Sequence, residues 1–145
     1  MGTRSTTKFY EDGNHILSVY KQWDGYVTDG WGDELKKFIC SGRFVNGIGD
    51  RKIRQFNGFG CFILQLIAKY KEGAGDLYAK TKDCGSEEYN YRIEFTEDWE
   101  DGKGIVKRKI KISCEEDASF EETIDLMDNS YLNREEFDKL PEVEE

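Results

Sequence analysis

Residues 57–71 read Asn57-Gly-Phe-Gly-Cys-Phe-Ile-Leu-Gln-Leu-Ile-Ala-Lys-Tyr-Lys71, the longest stretch of the chain with a helical apolar pattern. Its large apolar side chains recur three and four positions apart, so they share one face of a helix. Asn57 occupies the position of an N-cap, and Gly73 follows as a stop signal. The pattern predicts the most buried helix of the protein, starting within residues 58–60 and ending near Lys71. The apolar stripe consists of Phe59, Phe62, Ile63, Leu66, Ile67 and Tyr70, extended by Leu64.

Shorter patterns flank this helix. Segments rich in β-favouring residues alternate with turn sequences such as Glu11-Asp-Gly-Asn14, which indicates antiparallel hairpins. Before the helix, the sequence predicts strands over residues 3–10 and 15–22 and another helix over residues 33–41. After it, the sequence predicts strands over residues 76–81, 87–95 and 104–113. Residues 43–56, between the two helices, fit no regular element.

These elements follow the order ββααβββ, with strands joined largely by hairpins. We therefore expect an α+β fold, with an antiparallel sheet of about five strands and two helices on one face. A chain of 145 residues has the size of one ordinary domain. We place this domain at residues 1–114 and an acidic, partly helical C-terminal tail at residues 115–145.

The net charge of −9 is concentrated in this tail. Residues 115–145 hold 13 acidic and 2 basic residues, whereas the preceding 114 residues are close to neutral. Short helices are predicted over residues 120–127 and 134–140, and Ser119 and Glu122 have the spacing of a capping box. The tail has few large apolar groups to offset its ordering entropy, so we expect it to be separable from the fold.

Several kinds of chemistry lack support in the sequence. No apolar run reaches the length of a membrane-spanning helix, and the N-terminus lacks the apolar core of a secretion signal, which favours a cytoplasmic location without membrane contact. The four cysteines are far apart and form no Cys-x-x-Cys, so we expect reduced thiols and no metal site. His15 is the only histidine, and no nucleophile motif accompanies it. We therefore assign no catalytic residue and no cofactor, and favour a protein that is not an enzyme.

One loop is unusually aromatic. Residues 22–32 read Gln22-Trp-Asp-Gly-Tyr-Val-Thr-Asp-Gly-Trp-Gly32, between a predicted strand and a predicted helix. Large aromatic side chains are costly to leave in water, so such a loop either packs onto the domain or contacts a partner. Its two Asp-Gly pairs indicate tight turns, in which Gly accepts a positive φ. The candidate partner-binding residues of this loop are Trp23, Asp24, Tyr26 and Trp31.

A second candidate site precedes the buried helix. Asn57 and Gly58 open that helix, where exposed amides and the helix dipole attract anions. Arg51 and Arg54 lie just upstream and are placed to close on a phosphate. The spacing matches neither a P-loop nor a dinucleotide fingerprint. The alternative, which the sequence favours, is that Gly58 and Gly60 let the helix approach the sheet closely.

The last predicted strand carries Lys107, Lys109 and Lys111 on one face, and Arg108 on the other with Val106, Ile110 and Ile112. A lysine face of this kind can contact nucleic acid. More often it is the hydrated face of a sheet, or protects an edge strand from pairing with other chains. The acidic tail follows directly, and the overall charge opposes binding to a polyanion. Nucleic acid is therefore the less favoured partner.

Five sequence blocks resemble a known family. They are Thr3-Arg-Ser-Thr-Thr-Lys-Phe9, Gln22-Trp-Asp-Gly-Tyr26, Val45-Asn-Gly-Ile48, Asn57-Gly-Phe-Gly-Cys61 and Glu88-Tyr-Asn-Tyr91. In this order they resemble a family of small uncharacterised proteins carried by bacteriophages and by bacterial genomes with integrated elements. The resemblance covers residues 3–95, and the acidic tail lies outside it. It implies no catalytic residue, because the family has no assigned activity. It implies an accessory protein of a mobile element, a class that often binds host proteins or host signalling molecules.

We therefore expect a cytoplasmic, non-enzymatic binding protein of mobile-element type, with counter-defence as a role suggested by that setting alone. Its partner would be a host protein or a phosphate-bearing, nucleotide-like small molecule. Two alternatives stay open: a small enzyme that processes a nucleotide or phosphoester, and a nucleic-acid-binding accessory protein. The sequence also leaves open whether the chain forms a homo-oligomer.

Overall fold

The computed structural model describes residues 2–45, 54–81 and 87–127. The strands in these ranges are β1 (Ser5–Glu11), β2 (Asn14–Lys21), β3 (Arg43–Val45), β4 (Gln55–Asn57), β5 (Leu77–Lys80), β6 (Tyr89–Glu100), β7 (Gly104–Cys114) and β8 (Glu122–Asp125). The helices are α1 (Trp31–Ile39) and α2 (Gly58–Tyr70), and a 3₁₀ turn covers Ala118–Phe120.

Six of these strands form one mixed sheet in the order β5-β2-β1-β6-β7-β8. The α+β class is confirmed, but the prediction of an antiparallel sheet of about five strands is wrong, because β1 and β6 pair in parallel. All other neighbours in this sheet are antiparallel. Turn sequences identify strands that pair within a hairpin, whereas β1 and β6 are separated by both helices. Local sequence patterns therefore cannot predict that the β1–β2 hairpin pairs with the β6–β7 hairpin through β1 and β6.

A second, two-stranded sheet lies in the segment that fitted no regular element. β3 and β4 pair in parallel, with Phe44 opposite Phe56. The two rings are 5.0 Å apart between centroids, and both side chains are buried. With β8, these strands change the predicted order ββααβββ to ββαββαββββ.

The predicted helix over residues 120–127 is also wrong. Those residues form the end of the 3₁₀ turn and then β8, which pairs with the outer side of β7. Ser119 and Glu122 form no capping box there, since the backbone N–H of Ser119 donates to the side chain of Asp117 (3.0 Å). Ile124 and Leu126 are buried two positions apart, the period of a strand. Residues 115–127 therefore complete the sheet, and the predicted helix over residues 134–140 lies outside the described residues.

The core lies between the helices and one face of the large sheet. α2 contributes Phe59, Phe62, Ile63 and Leu66 to it, all buried. The prediction that α2 is the most buried helix is wrong, because α1 buries five of its nine residues and α2 four of its thirteen. The N-terminal half of α2 packs against the sheet, with the Phe59 ring centroid 5.1 Å from that of Phe95. Leu64 does not extend the buried stripe, because it is 70% exposed.

Side chains of the sheet alternate between two faces. In β1, Thr7 accepts a hydrogen bond from the Trp31 indole, and the Phe9 ring contacts Phe59 at 6.2 Å, so both point toward the helices. Lys8, between them, points the other way. We call these the covered face and the open face. The alternation predicted for β7 is confirmed by its buried apolar positions and outward lysines, although Val106 is 41% exposed.

Truncating Phe62 should test the core. Phe62→Ala should lower the free energy of unfolding by about 3 to 5 kcal/mol, because a fully buried ring leaves a cavity. Leu64→Ala, two positions along the same helix, should change it by less than about 0.5 kcal/mol. Urea unfolding of both variants measures the difference, and equal midpoints would contradict the placement of α2.

A second pair of variants tests β8. Ile124→Ala should destabilise the protein by about 2 kcal/mol, the lower end for such truncations, because its side chain is buried at a sheet edge. Thr123→Ala alters the exposed neighbour and should be nearly neutral. If thermal unfolding shows both variants to be as stable as the wild type, residues 115–127 do not belong to the cooperative unit.

Candidate functional site

Hydrogen bonds to a single residue, Asp76, fix the start of the aromatic loop (residues 22–32). Asp76, just before β5, accepts three hydrogen bonds: its carbonyl from the Gln22 N–H (2.9 Å), Oδ1 from the Trp23 N–H (3.1 Å) and Oδ2 from Lys21 Nζ (2.7 Å). Its φ of +63° lies in the left-handed region, which aspartate tolerates better than most residues. The start of the loop is thus tied to an edge strand more than fifty residues away in the chain.

Gly25 fixes the middle of the loop. Its N–H donates to the Thr3 carbonyl (2.9 Å), and its carbonyl accepts from the Tyr91 hydroxyl (2.6 Å). A Cβ at this position would lie 2.9 Å from the Ser5 Cβ, closer than van der Waals contact permits. Glycine is therefore needed here for a close approach to β1.

The end of the loop folds back on its own backbone. The Trp31 N–H donates to the Asp24 carbonyl (2.7 Å), and the Gly32 N–H donates to the Tyr26 carbonyl (3.0 Å). Asp24 and Asp29 have φ values of 58° and 56°, so the aspartates, and not the glycines that follow them, adopt the left-handed conformation. The expectation that Gly accepts the positive φ in these pairs is wrong.

The three aromatic side chains of the loop have different environments. Trp31 is buried, and its indole N–H donates to Thr7 Oγ1 (2.8 Å), so it supports the fold and is removed from the candidate contact residues. Trp23 is 47% exposed and Tyr26 is 48% exposed. The Tyr26 ring lies edge-on to Tyr89, 6.4 Å away. The loop therefore presents two aromatic side chains on a backbone that is hydrogen-bonded at both ends.

A cleft of about 250 Å³ lies beside this loop. Among the described residues, its charged groups are three carboxylates and one ammonium. The ammonium is already paired, because Lys21 binds Asp76 and lies 5.3 Å from the centre of the Trp31 ring. Since the carboxylates outnumber the lysine, the cleft favours a cationic group. The cleft is lined by Lys21, Asp24, Asp29, Gly30, Trp31, Glu34 and Tyr70.

The far wall of the cleft joins the two helices. The Tyr70 hydroxyl of α2 donates to Glu34 Oε2 of α1 (2.7 Å), and its ring lies edge-on to Trp31 at 5.2 Å. Burial, followed by the bond to Glu34, raises the pKa of Tyr70 well above that of a free phenol. Tyr70 is therefore a neutral hydrogen-bond donor throughout the physiological pH range. Sequence patterns placed Tyr70 only in the apolar stripe of α2, and Glu34 had no role assigned.

The predicted phosphate site has a different arrangement from the one expected. Arg54 Nη1 donates to Ser41 Oγ (3.0 Å), and its guanidinium lies 5.1 Å from the centre of the Phe38 ring. It does not line the cleft. Arg51 lies outside the described residues. Through these contacts, Arg54 connects the start of β4 to the C-terminal end of α1.

The glycines before α2 also differ from expectation. Gly58 has a φ of +85°, and a Cβ there or at Gly60 would meet no atom within 4 Å. The prediction that they allow a close approach to the sheet is wrong; Gly58 is needed for its backbone conformation. Asn57 is the N-cap by position, without a side-chain capping bond.

Other reactive groups lie apart from the loop. His15 Nε2 is 2.7 Å from Ser18 Oγ on the open face. Within the described ranges, no three His, Cys, Asp or Glu side chains come close enough together to hold a metal ion. No helix in the described part of the chain is long and apolar enough to cross a bilayer.

Alkaline pH should unfold the protein partly through Tyr91, which is 2% exposed and bonded to the loop. Burial raises the pKa of this phenol above its ordinary value of 10.0. Its contribution to stability is present below that value and is lost as pH rises above it, since the unfolded phenol ionises first. Tyr91→Phe should therefore show a smaller loss of stability between about pH 8 and 11 than the wild type.

Leu64→Ala, which removes an exposed side chain without a titratable group, is the control and should keep the wild-type pH dependence. Urea unfolding followed by circular dichroism at several pH values measures both variants. Parallel stability curves for wild type and Tyr91→Phe would contradict the burial of this phenol.

Comparisons with known proteins do not place the chain in a family. The sequence matches no protein-family model, and searches of curated proteins and of solved structures gave no significant match.

Proposed function

We propose that this chain is a non-enzymatic binding protein that recognises a basic segment of a partner protein. The observation that carries the proposal is the exposure of Trp23 and Tyr26 on a loop whose backbone is already fixed. Exposed Trp and Tyr are the side chains that most often dominate protein interfaces. A preformed loop loses little conformational entropy when it binds, which increases affinity.

The charge of the adjoining cleft supports the class of partner. Asp24, Asp29 and Glu34 line a volume of about 250 Å³, and the first two belong to the same loop as the two exposed aromatic residues. A lysine or arginine side chain would enter between these carboxylates while its neighbours in the partner contact Trp23 and Tyr26. A phosphate group would meet the same carboxylates at close range, so capture of a phosphate-bearing small molecule has less support. The mobile-element setting and the counter-defence role rest on the family resemblance alone.

Selection of short random peptides displayed on a carrier would test this function. Peptides enriched on the wild-type protein should carry an excess of Arg and Lys. Trp23→Ala and Tyr26→Ala should each weaken the selected peptides about tenfold, equivalent to about 1.4 kcal/mol, as measured by fluorescence anisotropy. Asp29→Asn keeps a side chain that tolerates the positive φ and should reduce the preference for basic peptides.

Trp99→Ala is the matched control. Trp99 is 61% exposed on β6, outside the aromatic loop, so its loss should leave peptide affinity unchanged. Two results would overturn the proposal: selected peptides without a basic excess, or peptides that bind the Trp23 and Tyr26 variants as tightly as the wild type.

A further inference from the structure

The open face of the large sheet carries a second set of chemistry that the aromatic loop does not use. Within the described residues both helices pack on the covered face, and the open face combines tyrosines with basic side chains. By strand register, its tyrosines are Tyr10, Tyr20 and Tyr78, and its basic residues are Lys8, Lys80, Arg92, Lys107, Lys109 and Lys111.

The tyrosines and cations of this face are interleaved. The Tyr20 and Tyr78 rings lie 6.0 Å apart on the adjacent strands β2 and β5, and Lys80 Nζ lies 5.8 Å from the centre of the Tyr20 ring. On the next strands, the Arg92 guanidinium lies 3.9 Å from the centre of the Tyr10 ring. Aromatic surface and positive charge therefore extend together across four strands, from the β5 edge to β6.

The lysines of β7 continue this surface. Edge protection does not explain them, because β8 pairs with the outer side of β7 and makes it an internal strand. Among these lysines, Lys111 pairs with Glu121 at 3.5 Å.

Charge on the open face contrasts with that of the whole chain. Among the described residues, its six basic positions face four acidic ones: Glu94, Asp98 and Asp125 by strand register, and Glu121 through its ion pair. Glu94 is already paired with Arg92 at 2.9 Å. The chain as a whole has a net charge of −9. An excess of positive charge on one face of an acidic protein indicates complementarity to an anionic partner.

We propose that the open face binds single-stranded nucleic acid. Bases would stack on Tyr20 and Tyr78, and the phosphates would follow the cations from Lys80 and Lys8 toward the lysines of β7. Sheet faces with exposed aromatic rings bind unpaired bases in this way, and duplex bases are not accessible to such rings. An acidic peptide would satisfy the cations, but its carboxylates would not stack on the tyrosine rings as nucleobases do.

Fluorescence anisotropy of the full chain with a labelled oligothymidylate of about 12 nucleotides tests this proposal. Binding should be saturable at about 50 mM salt and should weaken steeply toward about 200 mM. Tyr20→Leu and Tyr78→Leu should each weaken the oligonucleotide about tenfold, equivalent to about 1.4 kcal/mol. Heparin, an anion without bases, should bind these two variants as it binds the wild type, which also reports that they are folded.

A charge variant tests the second half of the surface. Replacement of Lys107, Lys109 and Lys111 by Gln should weaken both the oligonucleotide and heparin, whereas Lys37→Gln, an exposed lysine on α1, should weaken neither. Trp99→Leu is the aromatic control and should bind the oligonucleotide like the wild type.

Three results would overturn the proposal. The first is no saturable oligonucleotide binding at low salt. The second is equal oligonucleotide binding by the tyrosine variants and the wild type, which would assign the face to a simple polyanion or an acidic peptide. The third is equally tight binding of a duplex of the same length.

Discussion

The parallel pairing of β1 with β6 is the constraint on which the rest of the structure depends. It joins the antiparallel strands β5-β2-β1 to the antiparallel strands β6-β7-β8 in one sheet. Because the register places Phe9 beside Ile93 and Lys8 beside Arg92, it builds the covered face and the open face at the same time. α2 spans the junction, with the Phe59 ring in contact with aromatic side chains of both strands. The core and the two candidate surfaces are therefore consequences of one non-local pairing.

Sequence patterns predicted the elements whose signals are local. The stripe of α2 was identified because its burial repeats with the helical period, and the alternation of β7 because it repeats with the period of a strand. The pairing of β1 with β6 was missed because no turn links them. The spacing of Ser119 and Glu122 imitates a capping box and therefore predicts a helix over residues 120–127, where the structure has β8. Ile124 and Leu126 alternate with the period of a strand, but two positions are too few to predict a strand unless the neighbouring β7 is known.

The candidate site was only partly visible in the sequence for the same reason. Composition identified the aromatic loop, but it cannot distinguish the buried Trp31 from the exposed Trp23, since burial depends on β1 supplying Thr7 as a hydrogen-bond acceptor. The cleft needs Tyr70 from α2, and the loop needs Asp76 from the start of β5. The result separates charge within one domain: carboxylates line the cleft beside the loop, and lysines cover the open face of the sheet.

Asp76 limits which sequences can share this structure. Asparagine would keep the left-handed backbone and one acceptor for the loop, but it would leave the ammonium of Lys21, only 11% exposed, without its counter-charge. Glycine would adopt the same φ but offer only its carbonyl to Gln22. Glutamate would have the charge on a longer arm and a strained backbone. Position 76 must therefore supply a left-handed backbone, a side-chain acceptor for the loop and a negative charge for Lys21. We expect relatives without aspartate here to have a different structure at the start of the aromatic loop.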